Sequence, residues 1–279
     1  MTNREKINFR TIKKKKNTQN NVQLTVFPLL SERMEGEFDV FEALLKTLEK
    51  NNVKLEEGDV LVISTKYISN SQGRIVDLDK ISASEEGKQI SRKYQLKPEI
   101  AEIIIRESDK IFGGIGGFVI TSSDNVMAPN AGIDKSNARK GRAILYPKNP
   151  YQIAEEIRRK IFLKFFIHVG IILVDSRLMP ARIGTSGVAI ACAGIEPVLD
   201  MRAKKDLDEN PLKVTFQAVV DNLATIANHT MGEGAESKPF AIVRNSDAKL
   251  TDRKINPSEM AISPDQCVYV RGLTNPPNI

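Results

Sequence analysis

The residues best suited to chemistry in this sequence are acids that stand beside hydroxyl groups or in turns of small residues. Asp175 and Ser176 end a strongly apolar segment, "HVGIILVDS", which is typical of a buried strand. Asp134 lies in the turn-like "NAGIDKSN", and Glu233 and Glu236 lie in "MGEGAESK", after a long helical pattern. Carboxylates beside hydroxyls often hold Mg²⁺ or Mn²⁺ against phosphate oxygens. Together these acids predict a site for a divalent cation and a phosphate-bearing substrate.

Each of these acids also has a purely structural interpretation when it is considered alone. Asp134 could cap a turn together with Asn137, and Asp175 could cap a turn or a helix. Gly232 could end the long helix and leave Glu233 in a solvated loop. The residue patterns by themselves leave these alternatives open.

The glycine cluster "GGIGG", which begins at Gly113, looks like a phosphate-binding loop but lacks the residues that define one. A P-loop needs a Lys-Ser/Thr pair that opens a helix, and the dinucleotide-binding fingerprint also opens a helix. Here the pair is missing, and the following "FVIT" is typical of a strand. The cluster therefore predicts a turn that enters a hairpin, which continues through "SSDN".

The histidines and cysteines offer no competing site. His168 opens a strand pattern and His229 lies on a helical pattern, so both are predicted to be structural. Cys192 and Cys267 are too few for a disulfide framework or a zinc site, which favours a reducing, cytoplasmic setting. No Ser-His-Asp or Cys-His pairing can be identified.

The net charge of +6 is concentrated at the start of the chain. Residues 1–22 hold seven Lys/Arg and one acid, so the two signs balance over the rest of the sequence. This segment predicts a basic, flexible tail; binding to nucleic acid or an acidic membrane is the weaker alternative, because no aromatic residues are interleaved in a folding pattern. No apolar run is long enough to span a bilayer, and no apolar signal core is present, so neither a membrane protein nor secretion is expected.

The elements that must position the acids alternate irregularly, which predicts an α+β fold with mixed sheets and packed helices. Helical patterns cover "DVFEALLKTLEKNN", "KPEIAEIIIRESDKIF", residues 149–166 and "KVTFQAVVDNLATIANHTM". Strand patterns cover "QLTVFPLLSE", broken at Pro28, and "GDVLVIST", "HVGIILVDS", "SGVAIACAGI", "PFAIVRN" and "CVYVRG". We expect one folded domain over 23–273, between the tail 1–22 and a short tail 274–279.

Several of these motifs together resemble the coenzyme F-420:gamma-glutamyl ligase family. They are "GDVLVISTKYISNSQGRIVDL", "APNAGIDKSN", "LVDSRLMPARIGTSGVAIACAGIEPVLDMRAKKDL", "LKVTFQAVVDNLA" and "MGEGAESKPFAIVR". They occur in the family's order from about Phe27 to Arg244. The resemblance implies a ligase domain with the family's α+β fold, an intertwined homodimer, and addition of L-glutamate to the lactyl-phosphate side chain of a deazaflavin precursor with GTP.

The resemblance also implies roles for individual residues. Asp134, Asp175 and Glu233 match metal ligands, and Ser176 matches a hydroxyl that approaches the second of two Mg²⁺ or Mn²⁺ ions. Lys66 and Asp175 match the catalytic positions. The remaining matches are nucleotide contacts: Phe27, Pro28, Leu29, Leu30, Thr65, Lys66, Asn137, Gly232, Glu233, Gly234, Ala235, Glu236 and Ser237.

The implied reaction passes through an acyl phosphate and needs no nucleophilic side chain. GTP would phosphorylate the acceptor carboxylate, and the amine of glutamate would then displace phosphate, with Lys66 and the metal ions offsetting charge on the γ-phosphate. A monovalent K⁺ ion could assist. The expected partners are therefore small molecules and a second copy of the chain, with no membrane and no nucleic acid.

Two departures from the family pattern concern the acceptor. Asn70 stands where the family usually has a second lysine, and "RLMPAR" replaces a segment that commonly resembles "FGRPWR". Arg177 and Arg182 in that segment remain candidates for binding a phosphodiester or a carboxylate. A related ligase with a different acidic acceptor, and a non-catalytic protein that binds a nucleotide or deazaflavin, are the alternatives.

Overall fold

The computed structural model describes residues 23–34, 36–123, 126–136, 138–202 and 204–274. Within them, the strands in chain order are β1 (Thr25–Leu29), β2 (Val60–Ser64), β3 (Ile75–Asp77), β4 (Lys110–Ile115), β5 (Phe118–Ser123), β6 (Val126–Pro129), β7 (Arg142–Ile144), β8 (Gly170–Leu178), β9 (Thr185–Ala193), β10 (Val198–Asp200), β11 (Phe216–Ala218) and β12 (Phe240–Arg244). The α-helices are α1 (Val40–Lys50), α2 (Thr65–Ser71), α3 (Glu85–Tyr94), α4 (Pro98–Glu107), α5 (Pro150–Phe165), α6 (Val219–Met231) and α7 (Val268–Thr274).

The central sheet has five strands in the order β1-β12-β2-β8-β9. β2 and β8 are parallel, and the other neighbouring pairs are antiparallel. Three smaller sheets surround it: β3 with β7, β4-β5-β6, and the ribbon β10-β11. The predicted α+β class with mixed sheets is therefore confirmed.

The central sheet is buried on both faces because the side chains of its strands alternate. In β2, Leu61 and Ile63 pack with α1 and α5, whereas Val60 and Val62 pack with α6 on the other face. All four are fully buried, and each contributes roughly 1.5–3 kcal/mol relative to exposure. The sheet is thus a rigid platform for the side chains that leave its edge.

A second, smaller core supports the β3-β7 sheet. Ile100, Ile103 and Ile104 of α4 pack against Ala143 and Leu145. The α3–α4 pair is joined by Glu102, whose Oε2 accepts hydrogen bonds from the backbone N–H and the hydroxyl of Ser84, the cap of α3. This core fixes the segment that leads to Asp134.

Four predictions about local structure are wrong. β1 runs through Pro28, because it is an edge strand where a missing N–H costs no ladder bond. β8 does not end at Asp175 and Ser176 but pairs with β9 as far as Leu178. The segment "CVYVRG" forms part of α7 and not a strand.

The fourth concerns two helical patterns that are longer than their helices. The one before α6 includes β11, so the helix begins only at Val219. The one in "KPEIAEIIIRESDKIF" ends at Glu107, and Lys110 opens β4. In both cases one end of the periodic segment forms a strand, because it pairs with another strand.

Two predicted helices and one predicted turn are confirmed. Helices form at 40–50 and 150–165. Gly116 and Gly117 form a turn between β4 and β5 as predicted, whereas Gly113 and Gly114 lie within β4. Both cysteines are free thiols. Among the described residues, no helix is long and apolar enough to cross a membrane. The tail 1–22 and residues 275–279 lie outside the described residues.

Candidate active site

A cleft of about 770 Å³ opens at the edge of the central sheet. One wall is formed by residues that follow β2 and by the outer half of β8. The cleft is also lined by residues of β3 and β7, of the segments 32–34, 36–38, 129–136 and 138–139, and of the loop 232–239. Several segments that are distant in sequence therefore meet in one cavity large enough for a nucleotide-sized ligand.

Lys66 and Asp134 form a direct ion pair across this cleft. Lys66 lies in the first turn of α2, and its Nζ is 2.6 Å from Asp134 Oδ2 and donates to Ser136 Oγ at 2.8 Å. The hydroxyl and N–H of Ser136 both donate to Asp134 Oδ1. Burial raises the pKa of Asp134, but the hydrogen bonds from Lys66 and Ser136 outweigh it and lower the pKa. Asp134 is therefore held ionised.

Backbone pairing fixes the position of Asp134. Its N–H and carbonyl exchange hydrogen bonds with Ile144, at 2.9 and 2.8 Å. Ile144 is paired in turn with Ile75 in the β3-β7 sheet. The turn that the sequence suggested is thus anchored to a strand.

Asp175 enters the cleft because β8 extends beyond its parallel partner. Val174 is in register with Ser64, the last residue of β2, so Asp175 lies beside the start of α2. Thr65 Oγ1 donates to Asp175 Oδ1 at 3.2 Å. Burial raises the pKa of Asp175, and the charge of Arg177 and the hydrogen bond from Thr65 oppose that effect.

Arg177 is the cation that faces Asp175. Its Nη2 is 3.2 Å from Asp175 Oδ2 and donates to the hydroxyl of Tyr146 at 2.6 Å. The guanidinium also lies over the Tyr146 ring, 5.2 Å from the centroid. The Arg177 side chain is only 6% exposed, and its Nε has no hydrogen-bond partner among the described residues. Burial raises the pKa of Tyr146, so its hydroxyl stays neutral.

Glu233 forms a third polar group at the end of α6. Its carboxylate accepts hydrogen bonds from Ser176 Oγ at 2.6 and 2.7 Å, from Asn228 Nδ2 at 2.8 Å and from Thr185 Oγ1 at 3.3 Å. α6 can approach β9 this closely because Gly187 has no side chain: a Cβ there would lie 2.5 Å from Asn228 Cβ. A glycine in β9 thus sets the position of Glu233.

The loop 232–237 folds back on itself beside this group. Gly232 caps α6, and Glu236 Oε2 accepts a hydrogen bond from the Gly234 N–H at 2.7 Å. The Ser237 carbonyl accepts from the N–H of Ser31. The loop therefore presents backbone and carboxylate groups to the cleft, with one amide already bonded to a carboxylate.

The structure brings together most of the residues that the sequence suggested. The predicted site residues that line the cleft are Lys66, Asp134, Asp175, Ser176, Arg177, Gly232, Glu233, Gly234, Ala235, Glu236 and Ser237.

Some of the predicted site residues lie elsewhere, and one lies outside the described residues. Leu29 is buried in the core, Phe27 contacts Arg244, and Arg182 is exposed in the β8–β9 connection. Phe27, Pro28, Leu29, Leu30, Thr65 and Arg182 do not line the cleft. Asn137 falls outside the described residues.

The donor set of the cleft fits a hard divalent cation by its chemistry. Asp134, Asp175, Ser176 and Glu233 all offer oxygen atoms, which Mg²⁺ and Mn²⁺ prefer. Among the described residues, however, no three His, Cys, Asp or Glu side chains are grouped closely enough to hold an ion. The acids are instead paired with Lys66, Arg177 and neighbouring hydroxyls.

Four residues of the site were missed by sequence reasoning. Ser136, Asn228 and Thr185 bind the acids, and Tyr146 binds Arg177. Ser136 was visible within "GIDKSN", two residues after Asp134. The other three are brought in by tertiary pairing, so no local spacing could have identified them.

Comparisons with known proteins show the family of this chain. The family model described as F420-0:Gamma-glutamyl ligase matches residues 31–245. A coenzyme F420:L-glutamate ligase of Methanocaldococcus jannaschii is 37% identical over 201 residues, 72% of this chain and 80% of the relative. Those of Methanopyrus kandleri and Archaeoglobus fulgidus are 35% and 34% identical, covering 74% and 72% of this chain and 82% and 80% of the relatives. The chain belongs to the F420-0:gamma-glutamyl ligase family.

Proposed function

We propose that this protein is a GTP-dependent ligase that forms an amide bond between L-glutamate and the lactyl-phosphate carboxylate of the deazaflavin precursor of coenzyme F-420. The relatives named above are coenzyme F420:L-glutamate ligases. The observation in the structure that supports the proposal most is the joint presence of Lys66, Asp134 and Asp175 in one cleft. Such a set suits transfer of a phosphoryl group, which depends on positioned charges.

The chemistry would proceed in two steps. A carboxylate oxygen of the acceptor attacks the γ-phosphorus of GTP, giving an acyl phosphate and GDP. The amine of glutamate then attacks the acyl carbon, and phosphate leaves with the bonding pair as a proton is lost from nitrogen. Both steps gather negative charge on phosphate oxygens, which a fixed cation stabilises.

Lys66 is the residue best placed to supply that cation. Its Nζ reaches into the cleft from the first turn of α2 and is held by Asp134 and Ser136. This pairing orients the ammonium group before a substrate arrives, so little reorganisation is needed. The glycines of the 232–237 loop let a nucleotide approach the backbone closely.

Asp134, Asp175, Ser176 and Glu233 are the residues that would hold Mg²⁺ or Mn²⁺. Ions bound there, two in number as in the family resemblance, would offset charge on the phosphates. Entry of an ion at Asp134 or Asp175 requires Lys66 or Arg177 to share its carboxylate. K⁺ is an additional candidate that a reaction mixture can test.

The proposal is tested by incubating the purified protein with the deazaflavin precursor, L-glutamate, GTP and Mn²⁺ or Mg²⁺, with and without K⁺. Mass spectrometry should detect one added glutamyl unit and an equal amount of GDP. Replacing GTP with ATP tests the choice of nucleotide. Absence of both products under all of these conditions would overturn the proposal.

A second candidate is a related ligase that joins an amino acid to a different acidic acceptor. It is favoured by Asn70, which lines the cleft with a buried Oδ1 that has no partner among the described residues. Turnover with another carboxylic acid, and none with the deazaflavin precursor, would favour this candidate. A non-catalytic binding protein would bind GTP but form no GDP with any acceptor.

We also propose that the ligase works as a homodimer. Several large apolar residues are exposed around the ribbon β10-β11 and the β8–β9 connection, among them Ile183, Leu207 and Val214. Apolar groups clustered on projecting segments are typical of surfaces that associate.

A further inference from the structure

Tyr146 lies behind the cleft and has no role in the proposal above. It does not line the cavity, so it is not placed to touch a substrate. Its hydroxyl accepts a hydrogen bond from Arg177 Nη2 at 2.6 Å, and its ring lies under the same guanidinium, 5.2 Å from its centroid. One side chain thus holds Arg177 both by its polar end and by its face.

The position of Tyr146 is itself tightly fixed. Its ring fills the space beside Gly132, where a Cβ would come within 2.6 Å of Tyr146 Cδ2. Its carbonyl accepts a hydrogen bond from Arg74 Nε at 3.0 Å, and Arg74 is paired with Glu107 of α4. A side chain anchored at its ring and at its backbone has little freedom left to move.

Arg177 depends on this anchor because an arginine has many rotamers and this one is buried. Its described partners are Asp175 Oδ2, at 3.2 Å, and Tyr146. Nη2 is shared between the two, so the phenol oxygen and the carboxylate oxygen together define where that nitrogen lies. Without the phenol, the guanidinium would keep only one of its two polar contacts and could turn away from Asp175.

We propose that Tyr146 is a positioning residue for the ligase reaction, holding the guanidinium of Arg177 against Asp175. The expected effect of Tyr146 on turnover rests on the proposed function. Arg177 and Asp175 both line the cleft, whereas Tyr146 acts on them from outside. Its effect should therefore pass entirely through Arg177.

A double-mutant cycle tests this dependence. The variants are Tyr146→Phe, which removes the hydroxyl and keeps the ring, Arg177→Leu, and the two combined. The matched control is Tyr94→Phe: Tyr94 is a buried tyrosine of α3 that does not line the cleft. Unfolding midpoints of all variants establish that they are folded.

We expect Tyr146→Phe to lower kcat about tenfold, as loss of a hydrogen bond to a charged group does, with the KM for glutamate within about twofold. Arg177→Leu should lower kcat at least as much, and the combined variant should be no worse than Arg177→Leu alone. Tyr94→Phe should match the wild type. The inference would be overturned if Tyr146→Phe had the same kcat as the control. It would also be overturned if the decreases in kcat of the two single variants added up in the combined variant.

A second readout separates failure of this inference from failure of the proposed function. If the wild type forms no product, the proposed function fails, and the cycle is measured on the binding of MnCl₂ alone by calorimetry. The positive charge of Arg177 beside Asp175 opposes Mn²⁺ binding. Tyr146→Phe and Arg177→Leu should therefore both tighten Mn²⁺ binding, and the combined variant should bind Mn²⁺ no more tightly than Arg177→Leu alone. Binding that does not change in either variant contradicts the positioning role.

Discussion

At the scale of single residues, the carboxylate of Asp175 combines a partly buried position with a fixed counter-charge. Asp175→Asn keeps the shape of the side chain and a partner for Arg177, so the fold should persist. Asp175→Ala would instead leave the buried Arg177 without its carboxylate, which costs about 3–5 kcal/mol for such pairs. We expect Asp175→Asn to lower kcat about 10²- to 10³-fold, by analogy with loss of a charge-stabilising group.

Steady-state assays of GDP release measure this effect. The matched control is Asp265→Asn, which changes an exposed aspartate that does not line the cleft. Full activity in Asp175→Asn would show that its charge is not needed and would remove it from the proposed metal ligands.

Lys66 allows a second prediction at the same scale. Lys66→Met keeps the length of the chain but removes the charge that Asp134 and Ser136 hold in place. We expect kcat to fall about 10²-fold or more, because the cation acts on charge that develops in the reaction. Phosphate release with saturating GTP, glutamate and deazaflavin precursor is the measurement.

Lys160→Met is the matched control for Lys66→Met. Lys160 forms a comparable pair with Asp39, 2.8 Å long, but on the surface away from the cleft. It should keep full turnover, since exposed ion pairs contribute little. Equal turnover in the two variants would refute the role given to Lys66.

The sequence identified the acids of the site better than their partners. Asp134, Asp175 and Glu233 stand out because each follows an apolar strand or helix or lies in a small-residue turn. Tyr146 and Asn228 could not be found in this way, since their contacts arise only when β7, β8 and α6 pack around the cleft. A local pattern predicts the element on which a residue lies, whereas contacts between distant segments leave no pattern in the local sequence.

At the scale of elements, the close contact between α6 and β9 determines where Glu233 lies. In Gly187→Ala, the new Cβ would meet Asn228 Cβ at 2.5 Å and the Ala224 carbonyl oxygen at 2.7 Å, and neither can swing aside. Overpacking of this kind costs about 1–3 kcal/mol. We therefore expect a lower denaturant midpoint and weaker turnover, because Asn228 and Ser176 both bind Glu233.

Gly272→Ala is the control for this substitution. Gly272 lies on α7, and a Cβ there meets nothing within 4 Å. The chemical denaturation midpoint of Gly272→Ala should equal that of the wild type or be slightly higher, since alanine favours a helix. If Gly187→Ala were as stable as Gly272→Ala, α6 would not be held against β9 as described.

The α3–α4 pair gives a prediction about pH. The hydroxyl of Ser84, its N–H and Arg106 together lower the pKa of Glu102 to about 2. Because the folded pKa lies below the usual value, this carboxylate stabilises the fold above about pH 4.3 and loses that effect as the pH falls towards 2. Glu102→Gln should therefore flatten the loss of stability over this interval.

Thermal unfolding at a series of pH values measures the effect. Glu99→Gln is the control, since Glu99 is on the same helix and has no ion pair among the described residues. Its pH profile should follow that of the wild type. Parallel profiles for wild type and Glu102→Gln would contradict the hydrogen-bonded role of Glu102.

The elements also show where sequence patterns are reliable. α1 and α5 were predicted because each has a continuous 3.6-residue period and packs on the sheet along its length. β11 and the outer half of β8 were missed because the first lies within a helical period and the second follows the polar pair Asp175 and Ser176. Both are defined by a partner strand, which the period of their own sequence does not reveal.

At the scale of the whole molecule, the family match and the described fold do not end together. The match stops at residue 245, whereas the described fold continues to residue 274. Arg253 ties this last segment to the body through Glu196, and it also pairs with Glu259 within the segment. Within the matched region, exposed apolar residues are found between β10 and β11 and in the β8–β9 connection, and these are the basis of the proposed dimer.

The dimer predicts a mass of about twice 31.0 kDa in light scattering. Leu207 and Val214, 102% and 83% exposed, lie in the connection between β10 and β11. Changing both to Asp should lower the mass towards that of one chain, because buried carboxylates oppose association. Val268→Asp is the control, since Val268 is 75% exposed on α7, away from the ribbon. A wild-type mass of one chain at micromolar concentration would refute the dimer. A loss of mass in the control as well would show that the ribbon is not the surface that associates.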